Sequence, residues 1–106
     1  MLALILQEIA INLVNKDDRW QLFKRAEQLH LSAMSLAFHA FGEMNVETAK
    51  HYGNLGRLYH TMENYSEAES MHLKAIEIKE NILGKNDPNV ALSIGHLAAL
   101  YNYNLK

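Results

Sequence analysis

Lys50, Asn54 and Arg57 stand at i, i+4 and i+7, a spacing that puts all three on one face of an α-helix. A guanidinium fork matches a carboxylate, and an amide fixes peptide backbone groups. The trio is therefore suited to an extended peptide or a protein C-terminus. Gly53 beside them leaves room for a peptide to approach. The same pattern is what an ordinary solvated helix face with two charges carries, so spacing alone leaves both readings open.

The histidines offer a different chemistry. Glu27-x-x-His30 and Glu69-x-x-His72 are two E-x-x-H motifs on separate segments. Di-metal carboxylate bundles use that element, together with one inward glutamate from each of two further helices. Glu8 and Glu47 are the candidates for those positions, which gives a di-metal four-helix bundle as a remote alternative. Both motifs are also copies within a longer internal repeat, which accounts for them without a metal, and their glutamates are expected to be exposed. His39, His51, His60 and His96 show no i, i+3 or i, i+4 pairing with one another, so no local zinc pair is expected. No metal or other cofactor is assigned.

Catalysis has little to stand on. Gly53-Asn54-Leu55-Gly56 falls within a helical pattern rather than after a strand, so it is no phosphate-cradling loop. No nucleophile elbow or Ser/His/Asp grouping is evident. The expectation is a protein that is not an enzyme.

Composition narrows the class further. The chain has 106 residues, 49% of them hydrophobic, with a formal net charge of −2 and no cysteine. A disulfide scaffold and a thiolate metal site are excluded. The balance does not favour nucleic acid as a partner, and the apolar fraction is too high for disorder. The apolar start, Met1 to Leu6, has no basic n-region and is interrupted by Gln7 and Glu8. It therefore reads as neither a secretory signal nor a membrane span of about 20 apolar residues. The simplest expectation is a cytoplasmic protein without membrane insertion.

The periodicity is helical throughout. Leu2, Ile5, Leu6, Ile9 and Leu13 form one stripe, which predicts a buried face on an amphipathic helix over 1–16. After the polar break from Asn15 to Asp18, Asp17 or Asp18 can cap a helix that runs to about Phe41, with Gly42 at its C-terminal turn. Asn45 is the predicted N-cap of a helix reaching about Met62. Ser66-x-x-Glu69 reads as a capping box for a helix ending near Leu83, before Gly84. Asp87-Pro88 opens a fifth helix, to about Tyr103. No strand-like alternation of useful length is present. The short linkers force antiparallel neighbours. The predicted fold is all-α, about five helices in successive hairpins.

These hairpins repeat with a period of 42 residues and no gap. Ala26, Glu27, His30, Leu31 and Ala33 recur as Ala68, Glu69, His72, Leu73 and Ala75. Gly42 and Ala49 recur as Gly84 and Ala91, and Gly53, Leu55, Leu58 and Tyr59 as Gly95, Leu97, Leu100 and Tyr101. Fixed-period helical hairpins make a solenoid, in which each hairpin buries its face only against its neighbours. Glycine inside a helix costs about 1 kcal/mol relative to alanine, so Gly53, Gly56 and Gly95 predict close backbone contacts. Phe38, Phe41, Tyr52, Tyr59, Tyr65 and Tyr101 are expected in packing stripes, with Met34, Met62 and Met71 as gap-fillers.

Ala49, Tyr52, Leu55, Gly56, Tyr59, Tyr65, Ala68 and Ala75 resemble the tetratricopeptide (TPR) signature. The long period, with Gly84-Lys85-Asn86-Asp87-Pro88 between repeats, is similar to the kinesin light chain type. Glu63 stands where glycine is common, and His72 where an aromatic residue is common. In such arrays the first helix of each repeat lines a concave surface. That register puts Lys50, Gly53, Asn54 and Arg57 on it, and Leu92, Gly95, His96 and Ala99 in the next repeat. His96 and Asn102 would extend the groove. The stretches AFGEMNVETAKHYGNLGRLY, AESMHLKAIEIKENILG and VALSIGHLAALYNYNL resemble the C-terminal repeats of a family of much longer TPR adaptors, the amyloid protein-binding protein 2 family. That resemblance implies a substrate receptor of a cullin-2 RING ubiquitin ligase that reads C-terminal degrons. It also implies a transport adaptor for the amyloid precursor protein tail that associates with microtubules. Localisation would then extend to the nucleus, the cytoskeleton or membrane surfaces. The part that docks the ligase through elongin is not recognisable in this sequence.

The expected organisation is a helix outside clear repeat register over 1–16 and a TPR-like region over 17–106 whose last repeat is truncated. Leu92, Leu97, Leu100 and Tyr101 then risk exposure, and self-association is expected. A purely structural or dimerising role is the main alternative to peptide binding.

Overall fold

The computed structural model describes residues 1–12 and 16–104. Five helices follow one another: α1 Leu2–Asn12, α2 Lys16–Phe41, α3 Val46–Thr61, α4 Tyr65–Leu83 and α5 Pro88–Asn104. Leu13 and Asn15, which enter the expected stripe and polar break, lie outside the described residues. Among the described residues all regular structure is helical, and each helix packs on its successor. The molecule is an all-α run of antiparallel helical hairpins. Its extents of 43 × 35 × 19 Å make a slab two helix diameters thick. Among the described residues no helix is long and apolar enough to cross a membrane.

Local chemistry sets most of the boundaries. Asn45 Oδ1 accepts the Glu47 N–H at 2.8 Å, capping α3. Asp87 Oδ1 does the same for Asn89, one residue past Pro88. Gly42 and Gly84 take φ of +84° and +88° at the ends of α2 and α4, where side-chain-bearing residues are strained. The α3–α4 turn uses a residue that is not glycine. Glu63 has φ +63°, its N–H bonds to the His60 carbonyl, and the Asn64 N–H reaches back to the Tyr59 carbonyl. That is a Schellman closure. It displaces the expected capping box: α4 starts at Tyr65, so Ser66 is already inside the helix, and Asn64 makes no side-chain cap bond. Likewise α2 starts at Lys16, which puts Asp17 and Asp18 within its first turn rather than at the cap.

The core forms two connected clusters. Leu55, Tyr59, Ala68, Leu97 and Leu100 join α3, α4 and α5. Ala10, Phe23, Ala26 and Leu58 join α1, α2 and α3. Met62 packs against both, and Met34 and Met71 pack against the first, as gap-fillers do. Leu97 and Leu100 are thus buried, contrary to the expectation for α5, because α3 and α4 cover that side. Leu92, Ile94, Tyr101 and Tyr103 remain exposed.

The first helix reverses its expected orientation. Ala3, Gln7 and Ala10 are the buried residues, whereas Leu2, Ile5 and Ile9 are exposed. Ala3 and Ala10 let α1 approach α2 closely, with Gln7 buried between them; Leu6 of the expected stripe packs partly buried against the core, while Leu2, Ile5 and Ile9 are left outside. Phe38 and Phe41 are exposed too. The start of α1 reaches only to Leu29 and Ala33, so its 11 residues cannot cover the last turns of the 26-residue α2.

Candidate peptide-binding groove

α3 carries Lys50, Gly53, Asn54 and Arg57 on one face, and α5 carries Asn89, Leu92, Ser93 and His96 on the facing side. Together with Val46, and with His72 and Lys79 from α4, they line one cavity of about 290 Å³. Five of the six residues expected from sequence therefore meet in one place. Asn102 does not. It lies six residues after His96, on a different face of α5, and is exposed. The next turn of the groove-side face carries Tyr103, whose ring meets His60 edge-on at 5.0 Å.

His72 and Lys79 extend this groove beyond the first-helix positions. Lys79 belongs to the same stripe of α4 as Ala68, His72 and Ala75, at i, i+4, i+7 and i+11. That stripe was the available signal, since it turns the inner face of α4 towards the floor between α3 and α5. The Lys79 ammonium donates to Ser93 Oγ at 2.9 Å. Burial lowers the Lys79 pKa, partly offset by Asp87. Lys50 and Arg57 stand exposed at the mouth. Among the described residues none of the lining side chains is acidic.

The floor is a buried imidazole. His72 is 1% exposed, and its Nε2 has no hydrogen-bond partner. A Cβ placed on Gly56 would come within 2.8 Å of the His72 ring, so Gly56 is the glycine that a close approach requires. Gly53 and Gly95 have nothing within 4 Å of such a Cβ, which corrects the expectation that all three mark backbone contacts. Burial, with His96, His60 and Arg57 nearby, pushes the His72 pKa down to about 4. Burial also lowers His96, helped by Arg57 and Lys79. Both rings are thus neutral near pH 7.

One repeat earlier the arrangement recurs in apolar form. Leu2, Ala3, Leu4, Leu29, His30, Ala33, His51 and Asn54 are among the residues lining a niche of about 200 Å³. His30, the 42-residue counterpart of His72, is also buried with an unpartnered Nε2, and His51 Nδ1 is unpartnered as well. Asn54 borders both niches. A wider surface cleft of about 720 Å³ between α1 and α2 mixes Asp18 with Lys24 and Arg25 around Trp20. It presents no single sign of charge and lies outside the groove.

The glutamates of the two E-x-x-H motifs turn away from any metal arrangement. Glu27 hydrogen-bonds Tyr59, and burial followed by this bond raises the Tyr59 pKa. Glu69 hydrogen-bonds Tyr101, again raising the phenol. The glutamates are half-buried rather than exposed, because each meets the tyrosine of the next hairpin at the same period. Among the described residues no three His, Asp or Glu side chains converge.

A family model described as tetratricopeptide repeat matches residues 48–89, the α3–α4 hairpin and the turn into α5. Amyloid protein-binding protein 2 of Rattus norvegicus is 61% identical over 63 residues, which are 59% of this chain and 11% of the relative. The Mus musculus protein of that name gives the same values. The matched stretch thus spans about 11% of the length of these curated relatives.

Proposed function

From a chain that carries a tetratricopeptide repeat and is similar over 63 residues to amyloid protein-binding protein 2, we propose an adaptor segment that binds an extended acidic peptide or protein C-terminus. The observation that carries this reading is the groove itself. Lys50, Arg57 and Lys79 surround a cavity whose described lining has no carboxylate, with Asn54 and Asn89 amides beside them. Arg57 is the natural carboxylate partner, and the amides suit peptide backbone.

The finer roles rest on the resemblance. They are a substrate receptor of a cullin-2 RING ligase reading C-terminal degrons, with elongin as its link, and an adaptor for the amyloid precursor protein tail on microtubules. They belong to this proposal as activities of a longer protein. The cytoplasm, the nucleus and cytoskeletal or membrane surfaces are the corresponding locations.

Fluorescence anisotropy with a panel of labelled acidic peptides tests the proposal. Arg57→Glu should weaken binding at least tenfold while helical content is retained, because Arg57 is exposed and outside the core. A second reading, a purely structural or dimerising segment, draws on the exposed apolar residues of α1 and α5. In that case no acidic peptide binds, and the chain self-associates as its concentration rises.

A further inference from the structure

The groove has more positive charge than one carboxylate can answer. Three cations reach it from two helices: Lys50 and Arg57 from α3, and Lys79 from α4. Asp87, which offsets part of the effect of burial on Lys79, is committed to its own helix, where Oδ1 accepts the Asn89 N–H. Lys79 has a neutral hydroxyl, Ser93 Oγ, as its hydrogen-bond partner at 2.9 Å, and burial disfavours its charge. An anion placed there would offset the cost of leaving a partly buried ammonium uncompensated.

The second observation is independent of the charges. His72 is 1% exposed, lines the cavity, and leaves Nε2 without a partner. A buried polar atom of this kind costs stability unless something satisfies it. A neutral imidazole there can donate one N–H to an acceptor oxygen. Ser93, Asn89 and Asn54 add further neutral donors around the same space. The set is three cations and several neutral donors in a small cavity.

A phosphorylated side chain carries about −1.5 to −2 charges at pH 7 and three acceptor oxygens. A carboxylate carries one charge and two oxygens, and would leave two of the three cations unanswered. We infer that the groove between α3 and α5 is a binding site for a phosphorylated peptide, with Arg57, Lys79 and Lys50 holding the phosphoryl group above His72. This inference rests on the peptide-binding reading and names the ligand class of that groove. In it Arg57 supplies the bidentate fork, Lys79 a fixed charge and Lys50 a mobile charge at the mouth.

Three eight-residue peptides of alanine and glycine, with phosphoserine, glutamate or serine at the centre, test it on the full chain by titration calorimetry. Inorganic phosphate serves as a competitor. The phosphoserine peptide should bind at least tenfold tighter than the glutamate peptide, and the serine peptide should not bind measurably. Lys79→Gln should remove most of that preference. If Lys79→Gln fails to fold, Lys50→Gln, at an exposed position, should reduce the preference instead. Equal affinity for phosphoserine and glutamate overturns this inference and leaves the acidic-peptide reading standing. Binding by none of the three overturns both. Inorganic phosphate competing as tightly as the phosphopeptide overturns the peptide as the source of the phosphoryl group.

Discussion

His72 is tightly constrained by its surroundings. It fills the space that an alanine at position 56 would need, it lines the groove, and its pKa is held near 4 by burial and by His96, His60 and Arg57. The consequence for stability has a definite sign. In the unfolded chain a histidine titrates near 6.5, so between about pH 4 and 6.5 the unfolded state binds more protons than the folded one. Stability is then greatest above pH 6.5 and falls as the pH drops through this window. Denaturant unfolding should show a loss of roughly 2 kcal/mol between pH 7 and pH 5, and a smaller loss in His72→Leu. A stability that is flat over that range would contradict the assignment. The motif was visible as a repeated E-x-x-H, but its use was not. Sequence spacing could not show that Glu27 and Glu69 meet tyrosines 32 residues later in the chain while His30 and His72 line the two niches.

Elements show where sequence reading succeeds and where it stops. Caps and stops are local, and Asn45, Gly42, Gly84 and Asp87-Pro88 end or begin helices where their chemistry requires. The capping box at Ser66 is equally local but loses to the Schellman turn at Glu63, which moves the N-cap of α4 two residues earlier, to Asn64. Periodicity found a face on α1 without telling which partner it meets, and the small residues Ala3 and Ala10 proved to be the packed ones. For the groove, register on the first helix of each repeat located Lys50, Gly53, Asn54, Arg57 and His96. It passed over Lys79, which arrives from the second helix.

The α3–α4 contact makes this difference measurable. Gly56→Ala should cost about 1–3 kcal/mol by forcing the methyl into the His72 ring. Gly95→Ala has open space at its Cβ and should stabilise α5 by up to about 1 kcal/mol. Thermal unfolding of the two variants should therefore move in opposite directions. Equal shifts would mean that α3 and α4 do not approach as closely as described.

At the scale of the whole molecule the slab has two unlike ends and one lined groove. α1 exposes Leu2, Ile5 and Ile9, and α5 exposes Leu92, Ile94, Tyr101 and Tyr103. Between them the repeat sets two niches side by side, apolar around His30 and cationic around His72, with Asn54 at their border. The proposed peptide recognition would then draw on adjacent hairpins rather than on any one helix, as in a solenoid. The most direct test follows backbone amide shifts of the isotope-labelled chain while an acidic peptide is added. The account predicts perturbations concentrated at Lys50, Asn54, Arg57, Lys79, Ser93 and His96. Perturbations confined to the exposed apolar faces of α1 and α5, with those six residues unmoved, would contradict it.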